Sequence, residues 1–316
     1  MRKLIIDTDA GVDDSQAILM ALAHPDTTVS AITMVTGNVH VTAVTQNVPR
    51  ILDVCNADVP FFIGADMPLV APYVDAAHVH GDDGFGGADI PLSSRQPENE
   101  HAVHALIRLI NENPNEYEIL ALGPLTNLAL AVRLDPTLPD KIKRLVIMGG
   151  TIGAHGNATA LAEYNFYADP EAVQIVLDTF GKAKPYPELI SWETTLAHCM
   201  PWDWYENWSS LGTARSEFAK KISTRFVDLL KARGVTQYAL PDPLAMAVTL
   251  EPDLVEQSSD YFSAMELGGT YARGQLMVDY RGMIDGFTRD GNAPNLTVIE
   301  KINLAGFRQL LDNAVQ

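Results

Sequence analysis

The chain opens on a short apolar run, Leu4-Ile5-Ile6, that leads into four aspartates within eight residues: Asp7, Asp9, Asp13 and Asp14. The run reads as a buried strand, and Ile18, Leu19 and Leu22 give the segment from Val12 to Ala23 a helical apolar face. Carboxylates crowded at such a junction repel one another and lose hydration, so they require compensating charge. A hard cation with oxygen ligands supplies it, and the lack of convergent Cys or His favours calcium or magnesium over zinc. The plainer reading has the acids facing solvent or capping the helix. A buried strand feeding the junction weighs against that for all four. Gly11 is expected to provide backbone angles for the tight turn, and its surroundings lack the glycine spacing of a dinucleotide fingerprint.

Alternation continues along the chain. Pro25 ends the first helix and a second buried strand runs from Val29 to Val35, a βαβ start whose chemistry belongs at the carboxyl ends of the strands. Further helices are expected over Thr42 to Cys55, Glu100 to Asn113, Asn127 to Leu134, Pro170 to Leu177 and Ser216 to Lys231. Strands are expected over Val59 to Gly64, Tyr117 to Leu122 and Leu145 to Met148. No repeat or low-complexity linker divides the chain, so residues 1–316 read as a single α/β domain: an open, mostly parallel sheet with helices on both faces. Residues 64–98, rich in Gly, Pro, Asp and His, read as an active-site loop region. Residues 181–215, with their Trp and Pro, read as a cap or subunit-contact region.

Lys and Arg number 22 against 40 Asp and Glu, a net charge of -18 that disfavours nucleic-acid and anionic-membrane partners. Cys55 and Cys199 form neither a disulfide framework nor a metal-ligand pattern. With no secretory h-region and no long apolar span, a cytoplasmic protein is expected.

Two further polar segments offer directional donors and acceptors for adjacent sugar hydroxyls: Thr36-Gly37-Asn38, which follows a strand, and Glu163-Tyr164-Asn165. Loop asparagines more commonly satisfy backbone groups. Asp7-Thr8-Asp9 after a strand also fits a magnesium-dependent phosphohydrolase with an aspartyl nucleophile, which would need a basic phosphate partner that no motif here supplies.

Asp7-Thr8-Asp9-Ala10-Gly11-Val12-Asp13-Asp14 resembles the amino-terminal signature of the inosine-uridine nucleoside hydrolase family. The resemblance extends, in family order, through Thr36-Gly37-Asn38, His80-Gly81 to Gly86, Gly123-Pro124-Leu125-Thr126-Asn127-Leu128-Ala129, Met148-Gly149-Gly150, Glu163-Tyr164-Asn165 and Asp242-Pro243-Leu244-Ala245. It implies a Rossmann-like nucleoside hydrolase fold and calcium-dependent hydrolysis of the N-glycosidic bond of ribonucleosides, releasing ribose and a nucleobase. It further implies a Ca2+ ion held by Asp9, Asp14, Asp242 and the backbone carbonyl of Leu122, with Asp9 as general base toward a metal-bound water. Asp13, Asn38, Glu163 and Asn165 would bind the ribose hydroxyls, Met148 would line the sugar side, and Asp7 would support the centre. His80 matches the family's His-Gly segment and is a candidate nucleobase contact and proton donor. Assembly as a homodimer or homotetramer is implied in the same way.

Three positions depart from the family pattern. Pro241 stands where members carry a histidine or a tryptophan, so neither form of leaving-group activation carries over. Ala10 replaces a common proline, and Ile190-Ser191-Trp192-Glu193-Thr194-Thr195 replaces a Leu-Asp-Val-Thr wording, with Trp192 read as core. His78, Gln237 and Tyr238 are further pocket candidates without a role. Pro241 lends weight to a third reading, a ribonucleoside-binding protein with weak or lost hydrolysis; the presence of Asp9 favours an enzyme.

Overall fold

A computed structural model describes residues 1–283 and 293–316. The opening apolar run forms the strand Arg2–Thr8, and the helix Val12–Ala23 follows after a three-residue turn. Along Arg2–Thr8 the side chains alternate between two cores. Leu4 and Ile6 enter one, and Ile5 enters the other, as the period of two in a strand requires. Neighbouring strands repeat the division, with Ile32, Leu120 and Val146 on the first side and Ala31, Ile119 and Ile147 on the second. A sheet apolar on both faces must be covered on both, which is why it is parallel and flanked by helices.

Eight strands form the central sheet in the order Phe61–Ile63, Thr27–Met34, Arg2–Thr8, Tyr117–Ala121, Arg144–Met148, Glu188–Ile190, Leu296–Ile302 and Val255–Tyr261. All neighbours are parallel except the last pair. From Arg2–Thr8 the chain winds outward through two strands on one side, then returns to place Tyr117–Ala121 on the other. The winding direction therefore reverses between Arg2–Thr8 and Tyr117–Ala121, and ligands of open α/β sheets bind outside such a switch point. Asp9 and Leu122 sit at these two strand ends.

The 64–98 segment is irregular apart from the short helix Ala77–His80 and a bridge from Glu98 to Phe62. It is anchored by backbone donors, with Ala65 N bonded to Asn127 Oδ1 at 2.9 Å, Leu69 N to Asp169 Oδ2 at 2.9 Å and Ala76 N to Asn38 O at 2.9 Å. The 181–215 segment combines a strand of the central sheet with inward-packed aromatics. Glu188–Ile190 is a strand of the central sheet, and Trp204, Tyr205 and Trp208 are buried. The indoles of Trp204 and Trp208 donate to Asp312 Oδ1 and Leu311 O, both at 2.8 Å, so these rings are fixed against the final helix, Leu304–Ala314. Trp192 is half-buried against the same core. Among the described residues, no helix is long and apolar enough to cross a membrane.

At the opposite pole of the sheet the buried Glu118 carboxylate pairs with Arg2, with Lys143 at 3.0 Å and with Arg144 at 3.7 Å. Arg144 also forms a two-pronged pair with Glu188 at 2.7 and 2.6 Å. Removing one member of a buried charge network leaves its partners uncompensated. Glu118→Ala should therefore lower stability by about 2 kcal/mol in urea unfolding while the distant strand ends keep their ligand affinity. An unchanged midpoint would refute the structural weight placed on this network.

Candidate active site at the carboxyl ends of the strands

The turn between Thr8 and Val12 is made by Ala10, at φ +36°, and not by Gly11, whose φ is -81°. Gly11 is needed for a different reason than expected: a Cβ there would lie 2.6 Å from His80 Nδ1 and 2.8 Å from Asn38 Nδ2. The positive φ at Ala10 is closed to proline, whose ring holds φ near -65°.

Asp13 and Asp14 occupy the first turn of the Val12–Ala23 helix. Asp14 Oδ1 accepts from Thr8 Oγ1 at 2.5 Å, and Oδ2 accepts from Gly11 N at 2.9 Å and Asn38 Nδ2 at 3.2 Å. Asp9 Oδ2 accepts from Asn38 N at 2.6 Å, while Asp9 Oδ1 and Asp13 Oδ1 are buried without any hydrogen-bond partner. Asp242 is the second residue of the helix Pro241–Leu250. Pro241 suits the first helical position, which needs no backbone N–H. Asp13, Asp14 and Asp242 bring carboxylate oxygens within 4.8 Å of one another, a cluster able to hold a divalent cation. Asp9, assigned to the metal by the family resemblance, adjoins the cluster through Asp14; Asp13, assigned to the sugar, is one of the three.

Burial is the main cause of unusual acidity here, followed for most of these acids by the negative charge of neighbours. It holds Asp9 and Asp242 well above the ordinary carboxylate range, raises Asp14, and lifts Asp13 to about 6. Asp7, wholly buried, rises to about 7 despite accepting from Thr33 Oγ1 at 2.5 Å and Asn127 Nδ2 at 2.8 Å.

Across the strand ends lies the second polar group. Glu163 caps the short helix Tyr164–Ala168, accepting from Asn165 N at 2.9 Å, Phe166 N at 3.2 Å and Gly150 N at 2.7 Å, and burial lifts its carboxyl to about 7. Asn165 Nδ2 donates to Leu122 O at 2.6 Å and Met148 O at 3.2 Å, tying two strand ends together. Leu122 O thus has one lone pair engaged and a second available. Tyr164, whose role nothing in the sequence disclosed, sends its hydroxyl to Gly37 O and Val74 O. Thr8, Thr33 and Asn127, likewise without a role assigned from sequence, hold the acids in place.

His80 ends the Ala77–His80 helix with Nδ1 accepting from Val12 N at 3.2 Å and its ring stacked on Phe226 at 6.4 Å. Burial pushes its imidazole down to about 4. With Nδ1 accepting from Val12 N–H, the neutral ring carries its proton on Nε2. Tyr238 is buried, accepting from Gln16 Nε2 at 3.0 Å and packed among Tyr205, Trp202 and Phe226. His78 and Gln237 are exposed.

Residues 4–309 match the family model described as inosine-uridine preferring nucleoside hydrolase. The pyrimidine-specific ribonucleoside hydrolase RihA of Escherichia coli (strain K12) is 34% identical over 317 residues, covering 98% of this chain and 96% of that protein. Among solved structures, an inosine-guanosine nucleoside hydrolase superposes with a TM-score of 0.90 at 37% identity, covering 100% of this chain and 99% of the other. A plant nucleoside hydrolase superposes with a TM-score of 0.90 at 30% identity, covering 99% and 98%. Fold and site together are those of a glycosidase acting on N-glycosidic bonds. The chain belongs to the inosine-uridine preferring nucleoside hydrolase family, enzymes that hydrolyse ribonucleosides.

The raised carboxyl pKa values carry a sign. Without a cation the folded chain binds more protons than the unfolded chain from the ordinary carboxylate value of 3.8 up to about 7, so its stability falls as pH rises through that window. A cation takes the place of those protons. Millimolar calcium should therefore raise the melting temperature more at about pH 8 than at about pH 5, relative to chelator; equal shifts would contradict these acidities.

Proposed function

We propose that this enzyme is a calcium-dependent ribonucleoside hydrolase in which Asp9 is the general base. The observation that carries the reading is the buried, unpartnered Asp9 Oδ1 beside the Asp13, Asp14 and Asp242 cluster. A buried carboxylate oxygen without a donor is costly unless a cation or a reacting proton meets it. The donor set is all oxygen, the chemistry of a hard cation. Asp9, Asp14, Asp242 and the free lone pair of Leu122 O would hold the ion, and the position of Asp13 suits it to face both ion and sugar. When bound, calcium supplies a Lewis acid that lowers the pKa of water and a docking point for vicinal hydroxyls.

This chain's side chains account for the remaining work. Asn38 N–H holds Asp9 Oδ2 and leaves Oδ1 to take a proton from the attacking water. Asp13, Asn38, Glu163 and Asn165 bind the ribose hydroxyls, with Met148 beneath the sugar, fixing the anomeric carbon beside that water. As the bond to the base breaks, positive charge grows on the ribose, and the surrounding carboxylates favour it. Pro241 has no proton to give, and neutral His80 offers the departing base a hydrogen bond from Nε2. The relatives' names divide between pyrimidine and inosine-guanosine substrates, so the proposed substrate is the ribonucleoside as a class. A homodimer or homotetramer, and a cytoplasmic place in nucleoside salvage, accompany this reading on family resemblance.

The direct test is reducing-sugar release from purine and pyrimidine ribonucleosides, with calcium and after chelation. Release that requires calcium supports the proposal, and no release from any of them would favour a binding protein. Asp9→Asn is expected to lower kcat by about 10³-fold with the fold retained by circular dichroism; near wild-type turnover would remove Asp9 from the role of base. Asp242→Ala should weaken calcium binding by at least about tenfold in calorimetry, and unchanged affinity would reject it as a ligand.

A further inference from the structure

The three residues of Glu163-Tyr164-Asn165 point different ways. Glu163 and Asn165 turn toward the strand ends, while the Tyr164 hydroxyl crosses to Gly37 O at 2.6 Å, with Val74 O at 3.0 Å as a second acceptor. Gly37 C=O and Asn38 N–H belong to one peptide group, and that N–H donates to Asp9 Oδ2 at 2.6 Å. Tyr164 O–H, the peptide and the Asp9 carboxylate therefore form a continuous chain of hydrogen bonds. A donor on a peptide carbonyl polarises the group and strengthens donation by its N–H. The contact with Asp9 is intimate: a Cβ on Gly37 would lie 2.1 Å from Asp9 Oδ2. Only glycine lets the peptide approach the carboxylate this closely.

We propose that Tyr164 is a positioning residue for Asp9, acting through the Gly37–Asn38 peptide, and that it also fastens the 66–76 stretch through Val74. The inference rests on Asp9 being the base and adds the residue that aims it. By locking Oδ2, the relay leaves Oδ1 as the one carboxylate oxygen directed at the reaction. Two further bonds keep the peptide's neighbours in register. Asn38 O accepts from Ala76 N at 2.9 Å, and Tyr164 N donates to Asn157 Oδ1 at 2.8 Å. The hydroxyl has one proton and the shorter contact is to Gly37 O, so positioning Asp9 is its principal task and holding the loop the lesser one.

Tyr164→Phe keeps the ring and deletes the hydroxyl, which makes it the variant of choice. Amide exchange of the metal-free protein, followed by mass spectrometry, should quicken in peptides spanning Gly37 to Val39 with thermal stability almost unchanged. Turnover should fall about tenfold in kcat, with KM and calcium affinity each within about twofold, because an interaction made through the base acts in the transition state. Unaltered exchange around Asn38 would overturn the proposal whether or not the chain is active. So would a loss confined to KM, which would reduce Tyr164 to a loop fastener. If the unmutated chain releases no ribose, the functional reading fails and exchange alone decides whether the relay exists.

Discussion

Four buried aspartates share a space in which like charges repel and water is scarce, and most of what surrounds the strand ends serves to keep them there. Thr8, Gly11 N–H and Asn38 hold Asp14, Asn38 N–H holds Asp9, and Thr33 with Asn127 holds Asp7. These donors orient the carboxylates without neutralising them. Carboxyl pKa values shifted upward by burial are the signature of that imbalance, which is relieved either by protons or by a cation. The fold supplies the location, since the two strands flanking the switch point end beside one another and deliver Asp9 and Leu122 together.

The two poles of the sheet divide the work. At one pole Glu118 is surrounded by Arg2, Lys143 and Arg144, a compensated network whose consequence is stability. At the other pole the acids have hydrogen-bond donors but no Lys or Arg partner among the described residues, His80 Nδ1 at 3.9 Å from Asp13 Oδ1 being the one basic ring beside them, and the consequence is chemistry. A phosphohydrolase would want a cation from Lys or Arg at this second pole. The second polar group there is instead Glu163 and Asn165, suited to hydroxyls.

Local periodicity made the first strand, the helix Val12–Ala23 and the alternating core legible, because the pattern within a few residues determines which face is buried. The acid cluster was legible for the same reason: three of its members are close in sequence. Asp242 entered only through family resemblance, since no local pattern ties it to residues so far away. The supporting contacts were hidden because they join distant segments, as in Asn127 to Asp7, Val12 to His80 and Tyr164 to Gly37. One reading changed in the fold: the turn angle fell to Ala10, while Gly11 answers a steric demand from His80 and Asn38. Burial of the His80 ring, which lowers its pKa, was likewise invisible without its surroundings.

The most direct measurement is calorimetric titration of the metal-free chain with calcium near neutral pH, repeated in buffers of different ionisation enthalpy so that proton release is counted. Carboxylates that burial keeps partly protonated must give up protons to a cation. One calcium ion per chain, bound with release of a measurable fraction of a proton or more, is the expected result. No binding, or binding with no proton exchange, would contradict a cation centre built from these buried aspartates.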